Sequence, residues 1–170
     1  MNFADQRQAD RPPREPIFNI PDILSAYVAL LVAVQVIRTY ILTPLQDDWL
    51  VAVAGFNPAR YVHPIAEQDL LGFLAGPVSY SFLHGGWAHL LSNALFLVIF
   101  ATPLTARIGA VRFTVLWVAS AAFSAFFHAV LTGFANSYLV GASAVVSATA
   151  GASCRFVMPL LGSRRVTSAR

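Results

Sequence analysis

Four stretches of this chain carry almost no charge and are close to the length that crosses a membrane. They are Asp22 to Leu42, Trp87 to Leu104, Phe113 to Thr132 and Tyr138 to Leu161. The first has about 21 residues, roughly 31 Å at ~1.5 Å per helical residue, against a hydrocarbon core of ~30 Å. The second holds only His89 as a basic or acidic side chain, the third only His128, and the fourth only Arg155 near one end. Backbone polar groups inside hydrocarbon must be paired within the protein, and uninterrupted runs of this length achieve that as helices. The expected fold is all-α: a polytopic membrane helical bundle with four transmembrane helices.

The composition agrees. Apolar residues make up 57% of the chain and charged ones 11%, where an ordinary soluble domain is nearer a quarter charged. All 11 basic residues are arginine, and all 8 acids lie at or before Asp69. From Leu70 onward there is therefore no carboxylate base, carboxylate metal ligand or carboxylate pair. A net charge of +3, scattered and without a basic stripe interleaved with aromatics, gives no ground for nucleic-acid binding. Cys154 is the only cysteine, so an internal disulfide is excluded; beside Arg155 near a helix end it reads as a small packing residue.

Residues 1–20, with Arg7, Arg11, Arg14 and several prolines, read as a disordered cytoplasmic tail. They do not form a signal peptide, because the charges are mixed and no small-residue cleavage pattern follows. Residues 21–161 form the expected membrane domain, and 162–170 a basic C-terminal tail. The linker 43–80, rich in Pro, Gly and aromatics, is expected to hold a short interfacial helix around "DDWLVAVAGF". Arginines before the first span, at Arg107 and Arg112, and at Arg164, Arg165 and Arg170 fall on one side of a four-span topology. The positive-inside rule makes that side cytoplasmic, N-terminus included.

That orientation brings two polar clusters to the outer ends of their helices. His89 and Asn93 are four apart and share a helix face; an imidazole and a carboxamide so placed can donate two hydrogen bonds to one oxygen, as an oxyanion hole requires. His84 reads as a loop-fixing residue and His63 as a solvated one. In "VGASAVVSATAGA", residues 140–152, Ser143 is expected about one turn into the fourth helix, where a serine could serve as a nucleophile if a base reached it. A plainer reading stands beside this one: Ser143, Ser147 and Gly151 recur every four residues, the spacing of a close-packing helix face.

Together, "HGGWAHLLSN" and "GASAVVSATAGA" resemble the second-helix histidine–asparagine signature and the fourth-helix serine motif of the rhomboid intramembrane serine proteases. "RIGAVRF" and "FFHAVL" between them are similar to the same family, so the resemblance runs from about residue 21 to 160. It implies Ser143 as nucleophile and His89 and Asn93, with the Ser143 amide, as oxyanion stabilisers. By the same resemblance Gly141 permits close approach to the nucleophile, His84 ties the outer loop, and Arg107 is the link arginine. Ala144 stands where a glycine usually follows the serine, and Thr105 where an acid often precedes the arginine. The family has at least six spans, with a general-base histidine on the sixth; that base is not in this chain, which is expected to be incomplete.

The expected function is cleavage of transmembrane or juxtamembrane segments of other membrane proteins, as an integral, multi-pass protein of a bacterial inner membrane. The lipid bilayer and a transmembrane substrate are its expected partners, with no cofactor and no metal; the oligomeric state is left open. Without the base, an alternative is a non-catalytic relative that binds or escorts transmembrane helices. A third reading, a haem held between His89 and His128, rests on two histidines alone.

Overall fold

The computed structural model describes residues 20–163, with side chains up to Arg155. The tails expected over 1–20 and 162–170 therefore lie outside the described residues, apart from Ile20 and the last backbone positions of the final helix. Among the described residues five α-helices follow one another: α1 (Asp22–Tyr40), α2 (Pro44–Ala54), α3 (Leu70–Ser79), α4 (Trp87–Leu131) and α5 (Ser143–Ser163). Short 3-10 turns at Pro58–Val62, Ile65–Glu67 and Tyr80–Phe82 fill the connections. Among the described residues there is no β-strand, only an isolated antiparallel bridge between Phe56 and Leu139.

The linker is more helical than its composition suggests. Thr43 and Gln46 form a reciprocal capping box, Pro44 occupies the first turn of α2, and the helix stops where Gly55 turns extended. The helix expected around residues 47–56 thus begins earlier. The carboxylate of Asp69 accepts from the Leu71 and Gly72 amides and starts α3, a helix hidden by its glycines and Pro77. Arg60 donates to the carbonyls of Ala52 and Val53, satisfying the C-terminal end of α2.

Continuous on paper, α4 is two helices. Gly109 has φ 80° and ψ 168°, outside helical space. Along residues 87–108, His89 lies against Gly141 and the Phe100 carbonyl accepts from the Ser153 hydroxyl, so this half runs the same way as α5. Along residues 110–131, Ser120 and Ser124 meet Ser143 and Ser147, whereas Arg112 and Val115 meet Ala152 and Arg155. That half runs the opposite way. Only a residue without a Cβ adopts this φ cheaply, so the chain reverses at Gly109. The link expected over 105–112 is helical on both sides of that one residue.

α1 packs on both halves. Tyr27 stacks on Trp117 at 4.4 Å between centroids, and its hydroxyl lies 3.3 Å from the Thr114 hydroxyl. Leu24, Leu31, Leu90, Leu97, Phe113 and Trp117 are fully buried around this contact. Further along α4 the burial is inverted relative to a water-soluble helix. Ala121, Ala125 and Ala129 are 0% exposed, while Phe123 is 73% exposed and Leu131 70%. Water would drive the large side chains inward; hydrocarbon does not, and leaves small residues to bring helix backbones together. α1 and α4 are each long and apolar enough to cross a membrane.

The buried face here is Ala142, just before α5, with Val145, Thr149 and Ser153 on the helix. The other small-residue face, Ser143, Ser147 and Gly151, is exposed, and nothing lies within 4 Å of a Cβ built on Gly151. The four-residue repeat is real, but among the described residues it is not the face that packs. Cys154 is also exposed, contrary to its expected packing role.

Candidate active site

The segment before α5 is held from three sides. Leu139 exchanges two backbone hydrogen bonds with Phe56, at 3.2 and 2.9 Å, and the Gly141 amide donates to the Tyr80 carbonyl at 3.0 Å. The Ala142 amide points at His84 Nε2, 3.4 Å away. Ala142 then accepts the first intrahelical bond, from Val146. Ser143 is consequently the first residue of α5, not one turn inside it as the apolar run suggested. The tethers to Phe56 and Tyr80 and the non-helical φ of Gly141 delay the helix start. A helix's first amides have no intrahelical acceptor and carry the positive end of its dipole, so the Ser143 N–H is a free donor in a favourable field.

Gly141 joins the clusters. With φ +116° it occupies backbone space that side chains rarely adopt, and a Cβ there would lie 2.6 Å from His89 Cε1, 2.8 Å from Nε2 and 3.6 Å from Asn93 Nδ2. Both side chains thus stand directly over the backbone two residues before Ser143. Asn93 is buried, and among the described residues its Nδ2 has no hydrogen-bond acceptor. An unmet buried donor costs about 1–3 kcal/mol unless something accepts from it.

Ser143 itself is exposed and opens onto a cleft of about 370 Å³ against the second half of α4. Ser120, Phe123, Ser124, Phe127 and Ser147 line the cleft with it, and neither His89 nor Asn93 does. Among the described residues the Ser143 hydroxyl has no hydrogen bond to a histidine. His128, in the last turn of α4, has a buried Nε2 with no hydrogen-bond partner among the described residues, and His63 is solvent-exposed. The structure therefore brings together His84, His89, Asn93 and Gly141, and sets Ser143 at the edge of that group facing a different wall. Thr105 is buried, and Arg107, two positions before the reversal, is partnered within the protein.

His84 lies in the connection between the Tyr80–Phe82 turn and α4, outside both helices, and is 1% exposed. Burial, then the neighbouring His89, lower its pKa to about 4; the Arg38 charge adds to this and the Phe82 backbone opposes it. Among the described residues Nδ1 nevertheless has no partner of hydrogen-bond geometry, so the Phe82 contact is weak. A neutral ring is what the Ala142 contact requires, since a protonated Nε2 could not accept.

The sequence reading passed over the group that holds His84. Arg38, in the last turn of α1, donates to the His84 carbonyl at 2.6 Å and grips both oxygens of Asp47 at 2.6 and 3.1 Å. A signal was present: Arg38 is the one cation inside the first apolar run, and a charge at that depth needs a partner. Tyr80 and Ser81 were also missed; the Tyr80 hydroxyl donates to the Ala121 carbonyl and the Trp117 indole donates to the Ser81 hydroxyl, both at 3.0 Å. These bonds tie the loop before His84 to the second half of α4.

No curated protein matches the chain. Residues 72–160 match the Rhomboid domain family, a span that takes in α3 from Gly72 onward, the His84 connection, both halves of α4 and α5 up to its last turn. More than half of the sequence, carrying every residue of the cluster around Gly141, thus identifies this chain as a member of the rhomboid family.

Proposed function

We propose that the protein is an intramembrane serine endopeptidase that cleaves transmembrane or juxtamembrane segments of other membrane proteins. The rhomboid family generally consists of such proteases, and the observation that carries the reading is the seating of His89 and Asn93 over Gly141, beside the start of α5. In this chemistry Ser143 Oγ attacks the scissile carbonyl while its proton passes to a general base. The carbonyl oxygen becomes an oxyanion, stabilised by His89, by the unmet Asn93 amide and by the Ser143 N–H. Collapse releases the amine and leaves an acyl-enzyme that water hydrolyses. Among the described residues no imidazole is hydrogen-bonded to Ser143; the family resemblance implies a histidine on a further span as the base.

The spans are α1, the two halves of α4 and α5. Each half of α4 is about 22 residues, roughly 33 Å, and α5 has 21 residues. Arg112 beside the reversal and the N-terminal arginines support a cytoplasmic N-terminus and a site on the opposite side. The full gene product in proteoliposomes, given a helical membrane substrate, is expected to cleave it and to lose cleavage with Ser143→Ala. His89→Ala and Asn93→Ala are expected to lower kcat about 100-fold each, by analogy with loss of one oxyanion donor, with KM nearly unchanged. Cleavage that survives Ser143→Ala refutes the proposal. That the Ser143 hydroxyl has no hydrogen bond to a histidine among the described residues also favours a second reading, a helix-binding relative without catalysis; it predicts substrate retention with no fluorophosphonate labelling of Ser143.

A further inference from the structure

The end of the bundle remote from Ser143 holds a second concavity of different character. Around the Gly109 reversal, Leu104, Ile108, Val115 and Leu116 form aliphatic walls of a groove of about 390 Å³ between α4 and α5. Two guanidinium groups, Arg112 and Arg155, line the same groove. Arg112 is three positions past the reversal, and Arg155 is twelve positions past Ser143, roughly 18 Å along α5. Both are exposed, and among the described residues neither makes a hydrogen bond or ion pair. No acid follows Asp69 in the sequence, and Asp22, at the same end of the bundle, pairs with neither.

Two cations beside one hydrocarbon-lined groove repel each other until an anion joins them. Free phosphate would meet the guanidinium groups but leave the aliphatic walls unused. A lipid satisfies both parts, since its phosphodiester suits the arginine fork and its chain suits the walls. We propose that this groove binds an anionic glycerophospholipid, with its headgroup phosphate between Arg112 and Arg155 and an acyl chain along Leu104, Ile108, Val115 and Leu116. The site involves none of the residues around Ser143 and stands whether or not the protein is a protease.

The test is native mass spectrometry of the delipidated full chain in neutral detergent, titrated with equimolar phosphatidylglycerol and phosphatidylcholine. At roughly fivefold per guanidinium near a membrane surface, the expected preference for phosphatidylglycerol is about 25-fold. The Arg112→Gln, Arg155→Gln pair is expected to bring it to about unity, whereas Arg112→Lys, Arg155→Lys retains most of it. Because both arginines are exposed, circular dichroism should be unchanged in each variant. Millimolar inorganic phosphate is expected to leave the preference intact; displacement by phosphate would assign the site to a free anion and overturn the lipid. Equal binding of both lipids by the wild type, or a preference that persists in the glutamine pair, also overturns it.

Discussion

Gly141→Ala imposes two penalties that a second substitution can separate. The first is conformational: at φ +116° a residue with a Cβ is strained by about 1–3 kcal/mol. The second is a collision, because the new methyl would stand 2.6 Å from His89 Cε1 and 2.8 Å from Nε2. Relief requires His89 to leave its rotamer, at about 0.5–1.5 kcal/mol. The expected loss is about 3 kcal/mol in the wild type and about 2 kcal/mol in a His89→Ala background, where only the backbone term remains. The difference, about 1 kcal/mol, is the coupling read from the double-mutant cycle. Reversible unfolding in mixed micelles titrated with dodecyl sulfate gives the four free energies, and the His89 ring resonances report its displacement. Equal losses in both backgrounds, with an unmoved His89 spectrum, would show that the two groups do not meet and would remove the geometry on which the site is built.

Two other outcomes are expected. His84 has an unfolded pKa near 6.5 and a folded pKa of about 4, so between those values the unfolded chain binds the additional proton. Stability is then flat above about pH 6.5 and falls by roughly 3 kcal/mol as pH drops toward 4; unfolding measured across that range should show the slope, and His84→Gln should flatten it. Arg38 serves two acceptors where Asp47 serves one donor. Arg38→Met is therefore expected to cost about 2–3 kcal/mol and Asp47→Asn about 1 kcal/mol, with the double variant close to Arg38→Met alone; additive losses in the same unfolding assay would contradict the shared clamp.

Much of the architecture was readable from the sequence because lipid imposes a one-dimensional rule. A run of about twenty uncharged residues must satisfy its own backbone, so helix type and approximate position follow without knowledge of neighbours. α1 and both halves of α4 lie where such runs predicted. His89 and Asn93, four apart, share a face for the same reason: helical periodicity is local. The two motifs were legible as a pair in fixed order, and the family match over residues 72–160 rests on the same stretch.

What remained hidden depends on contacts between segments distant in the chain. Periodicity showed that α5 has a small-residue face but could not say which of two such faces packs; the tertiary arrangement buries Ala142, Val145, Thr149 and Ser153 and leaves Ser143, Ser147 and Gly151 outside. The start of α5 moved to Ser143 because Phe56 and Tyr80, far upstream, bind the backbone before it. Arg38 could be recognised as a charge in need of a partner, yet only folding chose Asp47 and the His84 carbonyl. The sequence by itself determined the long apolar helices, α1 and both halves of α4, and the shared face of His89 and Asn93, since these follow from local solvation and helical periodicity. Only the tertiary structure decided that Ser143 faces α4 while His89 and Asn93 stand over Gly141, because side-chain direction is set by what each helix packs against.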